Sequence, residues 1–171
     1  MKSIYLTGFM GAGKTTIGEE LGKALQLPVY DTDQLIESNE KMTIKEIFAQ
    51  QGEEYFRKLE RKALKELPVQ DAIITTGGGV VLSGENVDWM KQNGCMVFLY
   101  AEMDKVWERL EKDQTRPLIM QKSRDEVAAI FEMRLPLYRE AQLIVDTTNL
   151  SVVESVKSVV DVVKSWEKGQ H

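Results

Sequence analysis

Short apolar runs recur at residues 4–6, 29–30, 72–75, 96–100 and 143–145, and stretches with helical periodicity separate them. Each run is nearly continuous rather than alternating, as expected for a strand covered on both faces. Five such strands alternating with helices predict an α/β fold, with a parallel sheet sandwiched between helical layers and joined by right-handed crossovers. Two connections stand outside this rhythm. Residues 33–67 are long enough for several helices, with Gly52 as a break between them, and predict an inserted substrate-facing lobe. Residues 113–122 lie between a helix ending near Lys112 and one starting near Ser123; Pro117 stops helical continuation there, which suits a mobile lid.

The chain has 171 residues, 43% hydrophobic and 29% charged, which fits one compact domain spanning 1–171. A net charge of -5 provides no basic field, so nucleic acid and anionic membranes are disfavoured as partners. No apolar run approaches the roughly 20 residues that span a bilayer. Cys95 is the only cysteine, so an intrachain disulfide is impossible. A cleaved leader would remove the first strand and the loop after it, so the chain is expected to be soluble and cytoplasmic.

That loop carries the strongest chemical signal. Gly8-Phe9-Met10-Gly11-Ala12-Gly13-Lys14-Thr15 matches G-x-x-x-x-G-K-[ST] between a strand and a helix, the context a P-loop requires. Its glycines let backbone N–H groups converge on phosphate oxygens, and the helix that follows turns its positive end to the same anion. Lys14 can reach the β- and γ-phosphates, and the Thr15 hydroxyl can ligate Mg²⁺.

In an open α/β sheet ligands bind outside the carboxyl ends of the strands. Strand two ends in Asp31-Thr32-Asp33 and strand three in Thr76-Gly77-Gly78-Gly79. If the backbone stays extended, Asp31 and Asp33 project to one side; one carboxylate could orient Mg²⁺ and the other accept from an acceptor hydroxyl. The alternative is a turn in which Asp33 caps a helix. Arg57 sits at the edge of a stripe formed by Phe56, Leu59 and Ala63, with Glu60 as an i, i+3 partner. Arg134 shares a helical face with Val127, Ile130, Phe131, Leu135 and Tyr138, and a guanidinium among apolar neighbours requires an anion, internal or bound. Pro136 is expected to distort that helix just beyond Arg134. Gly79 and its neighbours admit close approach, and Arg116 could stabilise charge on a transferring phosphoryl group.

Taken in order, GFMGAGKTT, DTD, Phe56-Arg57 followed by Glu60, GGG, Arg116-Pro117-Leu118, and Arg134 with Tyr138 and Glu140-Ala141 resemble the shikimate kinase family over nearly the whole chain. The resemblance implies a P-loop three-layer α/β sandwich with strand order 2-3-1-4-5. It implies a monomer that phosphorylates the 3-hydroxyl of shikimate with ATP, on the route to chorismate and the aromatic amino acids. By resemblance Asp33, Arg57, Gly79 and Arg134 contact shikimate, while Gly11, Ala12, Gly13, Lys14, Thr15, Thr16 and Arg116 contact ATP. Mg²⁺ is expected at Thr15 with Asp31, and Lys14, Asp33 and Arg116 as the catalytic set. Some members carry a basic nucleotide contact after the last strand, where this chain reads Thr147-Thr148-Asn149-Leu150-Ser151. A kinase for another hydroxy acid such as gluconate is the nearest rival. A GTP-driven switch lacks its N-K-x-D and D-x-x-G motifs here, and a silent binding module would not need the full set of phosphate-handling groups.

Overall fold

A computed structural model describes residues 1–112 and 122–170. Five parallel strands form one sheet in the order β2-β3-β1-β4-β5. They are β1 (Ser3–Thr7), β2 (Val29–Asp31), β3 (Ile73–Thr75), β4 (Gly94–Tyr100) and β5 (Leu143–Asp146). The central strand β1 pairs with β3 through Ile4 opposite Ile73, and with β4 through Ile4 opposite Cys95.

Because successive side chains in a strand point to opposite faces, each central strand divides its apolar residues between two cores. Tyr5, Ile74, Met96 and Phe98 face one way and pack with Phe9, Phe131 and Tyr138. Ile4, Leu6, Ile73, Cys95 and Val97 face the other way, against Ile17, Leu21, Val159 and Val163. The second layer comes from α1 (Lys14–Leu25) and α8 (Val152–Gly169); the first includes α5 (Gly84–Asn93), α6 (Met103–Lys112) and α7 (Arg124–Tyr138). The expectation of strands covered on both faces holds for β1, β3 and β4. At the sheet edges it does not, since Val29 and Tyr30 of β2 and Ile144 of β5 are exposed.

The long crossover after β2 folds as α2 (Thr32–Glu40), α3 (Ile44–Gln51) and α4 (Glu53–Glu66) around a small core of Ile36, Ile47, Phe56 and Ala63. Gly52, at φ 86, breaks α3 from α4 as expected. Pro136 does not end α7, which runs on to Tyr138. It lies within the last turn, where its missing N–H costs one bond near an end that frays in any case. Ser123 and Glu126 form a capping box that starts α7, and Ser151 and Glu154 do the same for α8. No helix among the described residues is long and apolar enough to cross a membrane. The predicted lid and its Arg116 fall in 113–121, outside the described residues, apart from Lys122.

Candidate active site

The loop between β1 and α1 turns on Gly11 and Gly13, at φ 81 and 88, a conformation that side-chain-bearing residues rarely adopt. Ala12 N–H donates to Phe9 O at 3.0 Å, tightening the turn. Lys14 Nζ folds back over the loop, donating to Gly8 O and, at 3.2 Å, to Phe9 O. Gly13 caps α1 without a side-chain hydrogen bond, whereas a side chain caps α2, α3, α5, α7 and α8. The first N–H groups of α1 thus point at an open cleft lined by Gly11, Ala12, Gly13, Lys14, Thr15 and Thr16. Arg109, from α6, lines the same cleft and donates from Nη1 to Gly11 O at 3.0 Å. The cleft continues into a hollow bounded by Ile17, Thr147, Leu150 and Val152.

Asp31 ends β2 and caps α2: its Oδ1 accepts from Gln34 N at 3.0 Å and its Oδ2 from the Thr75 hydroxyl at 2.7 Å. The backbone is not extended beyond it, because α2 begins at Thr32. The premise that Asp31 and Asp33 share one side of a strand therefore fails, and the cap is Asp31 rather than Asp33. Asp33 lies in the first turn of α2 and reaches the end of the neighbouring strand β3. A methyl group on Gly77 would meet its Oδ1 at 3.0 Å and Glu60 Oε2 at 3.4 Å.

Three more side chains close on the same glycines. The Arg57 guanidinium lies close against Gly79, where a methyl group would sit 2.5 Å from Nη2 and 2.6 Å from Nη1. Gly79 has φ -92, so space rather than backbone conformation excludes a larger residue. Arg57 is held by Glu60 Oε1 at 3.0 Å, by Glu53 Oε1 at 3.3 Å, and over the Phe56 ring at 5.2 Å. Arg134 approaches Gly78, where a methyl group would lie 3.5 Å from its Nη1 and 3.6 Å from Met10 N of the phosphate loop. Tyr138, fully buried, donates its hydroxyl to Gly78 O, and burial pushes its phenol up to about 12. The β3 exit is thus a seam on which Asp33, Arg57 and Arg134 close, with Met10 of the phosphate loop beside Gly78.

The sequence of this chain matches the family model for shikimate kinase over residues 10–164. The chain belongs to the shikimate kinase family. A shikimate kinase of Bacillus cereus strain AH187 is 49% identical, over 96% of this chain and 97% of the relative. The shikimate kinase of Acinetobacter baumannii, solved in complex with shikimate, superposes with a TM-score of 0.89 at 32% identity, covering 96% of this chain and 94% of that one. The Aquifex aeolicus shikimate kinase superposes at 0.84 with 36% identity, over 95% and 96%. The sheet order agrees with these shikimate kinase structures, and membership makes the chain a kinase.

Two members of the site carry no functional signal in the sequence. Arg109 lies in Met103–Lys112, a helix rich in charge, and only the fold shows that it faces Gly11. The sequence marks Glu60 as a partner for Arg57 but not as a buried group. Its side chain is 1% exposed, and burial raises its carboxyl to about 7 although Arg57 opposes the shift.

Proposed function

We propose that the chain transfers the γ-phosphoryl group of ATP to the 3-hydroxyl of shikimate. One observation carries the reading: two guanidinium groups and a carboxylate converge on a glycine seam that abuts the phosphate loop. A ring bearing one carboxylate and several hydroxyls fits such a pocket. Arg57 and Arg134 would grip the carboxylate as planar forks, and Asp33 would accept from a hydroxyl, aiming it across Gly78 toward the γ-phosphorus. Shikimate has that chemistry, and the Acinetobacter baumannii relative was solved with it bound.

Phosphoryl transfer depends on alignment and on neutralising charge, so each residue has a definite task. The backbone of Gly11, Ala12 and Gly13 and the end of α1, with Thr15 and Thr16, would hold the phosphates of ATP. Lys14 would swing from its carbonyl contacts onto the β- and γ-oxygens. The purine would rest in the hollow beside Thr147, Leu150 and Val152, with Arg109 along its wall. Arg116, from its place in the family pattern, would add positive charge at the transferring group. Asp33 orients the acceptor hydroxyl and can take its proton.

The donors available also fit Mg²⁺. Thr15 exposes a hydroxyl at the start of α1, and Asp31 is fixed by Gln34 and Thr75, so both present hard oxygen ligands. Among the described residues no group of three His, Cys, Asp or Glu could hold a metal alone, which suits an ion bound chiefly through nucleotide and water. Bound there, Mg²⁺ supplies charge neutralisation at the β- and γ-phosphates.

The test is a coupled ADP-release assay with ATP and Mg²⁺ across shikimate, quinate, gluconate and nucleoside monophosphates. Turnover on shikimate well above the others is expected. Turnover on gluconate or a nucleotide alone would refute the reading.

A further inference from the structure

Glu60 is the most deeply buried charged side chain of the pocket, and the transfer step gives it no task. Four ionisable groups share its surroundings. Arg57, on its own helix, donates to Oε1 at 3.0 Å. Asp33 from α2 meets it across Gly77. Arg134 and Tyr138 act on it from α7, and Tyr138 stays a neutral phenol at working pH. The β3 exit contributes only glycines. Glu53 also holds Arg57, but from the solvent side, where it is 62% exposed.

With Asp33 and Glu60 both ionised, their two carboxylates face the two guanidinium groups, and Glu53 adds a third carboxylate to Arg57 from the solvent side. A ligand carboxylate then adds a negative charge that Arg57 and Arg134 cannot offset while Glu60 keeps its own. Oε2 of Glu60 and Nε of Arg134 are buried with no hydrogen-bond partner, so the pocket holds unused polar capacity. The least costly response in a poorly hydrated site is to neutralise the group with the least access to water.

We infer that Glu60 is a positioning residue that takes up a proton from solvent as the carboxylate of shikimate enters, so that Arg57 keeps its hydrogen bond to Glu60 while its charge is left to the ligand. The inference rests on the acceptor reading above. The protonated carboxyl gains an O–H with which to donate to Asp33 or to a ligand hydroxyl, while its second oxygen still accepts from Arg57. The sign follows from burial. In the free protein Glu60 titrates at about 7, and a nearby anion raises that value further. Below pH 7 the proton is already present and affinity is flat with pH. Above it, binding must draw the proton from solvent, and affinity falls as pH rises.

The experiment is calorimetric titration of the full chain with shikimate from pH 6.5 to 8.5, in phosphate and in Tris, whose ionisation heats differ. The expected result is proton uptake that grows above pH 7 toward one per site, with Kd rising by up to about tenfold per pH unit. Glu60→Gln keeps the shape and an acceptor for Arg57; it should bind with no uptake and a flat Kd. Binding by the native protein without uptake at pH 7.5–8.5 overturns the inference, as does uptake that survives in Glu60→Gln. If that variant does not fold, carbon NMR of the ¹³C-glutamate-labelled native protein decides: one buried carboxyl moves to its protonated shift on adding shikimate, or none does and the inference falls. Failure of shikimate to bind at any pH would instead remove the acceptor reading.

Discussion

Gly79→Ala isolates the packing of Arg57 from every other variable. The backbone at Gly79 has φ -92, which alanine adopts without strain, so the only change is one methyl group. That methyl would lie 2.5 Å from Nη2, 2.6 Å from Nη1 and 2.7 Å from Cζ of Arg57. Ordinary contact between such atoms is about 3.5 Å, so the guanidinium must retreat by roughly 1 Å. A retreat of that size disrupts the 3.0 Å pair with Glu60 and moves the fork away from the acceptor. A hydrogen bond to a charged group contributes about 1.5–3 kcal/mol, which corresponds to about a 10- to 150-fold rise in KM for shikimate. KM for ATP should barely change, because Gly79 does not line the phosphate cleft. Steady-state kinetics with each substrate varied in turn make the measurement. Gly84→Ala is the control: nothing lies within 4 Å of its added methyl, and kinetics should match the native protein. A KM for shikimate within about twofold of native in Gly79→Ala would refute the assigned role of Arg57.

Asp33→Asn keeps the size of the side chain but weakens its acceptance of the acceptor's proton. Turnover should fall by about 10²- to 10⁴-fold with nucleotide affinity nearly intact, as read by single-turnover kinetics and ATP-analogue binding. Unchanged turnover would remove Asp33 from the mechanism. Arg109→Ala deletes the 3.0 Å bond to Gly11 O and one wall of the nucleotide cleft. Loss of about 1–2 kcal/mol should raise KM for ATP by about 5- to 30-fold while KM for shikimate stays constant; the reverse pattern would place Arg109 in the other pocket.

Much of this arrangement is legible in the chain itself. The P-loop announces its geometry, because glycine adopts most readily the left-handed backbone found at Gly11 and Gly13, and a lysine and a hydroxyl serve the phosphates that follow. That several helices lie between β2 and β3 is legible from length and from Gly52; that there are three is not. Asp31 and Asp33 were harder: extended spacing put both on one side, yet a helix starts between them, since the Asp31 side chain satisfies Gln34 N and makes an early helix start favourable. Glu60 sits among Lys58, Arg61 and Lys62, and nothing local distinguishes a buried carboxylate from a solvated one. Its burial arises only when α4 meets the β3 exit and α7. Arg109 is hidden for the same reason, since its partner Gly11 lies 98 positions away.

The central claim is that the carboxylate and a hydroxyl of the acceptor are held at the β3 exit. It is tested most directly by a crystal structure of the chain with shikimate and a non-hydrolysable ATP analogue. The carboxylate should lie between the guanidinium groups of Arg57 and Arg134, with a hydroxyl on Asp33 and the triphosphate along Gly11 to Thr16. A ring bound elsewhere, or turned so that its carboxylate faces Asp33, would contradict the account.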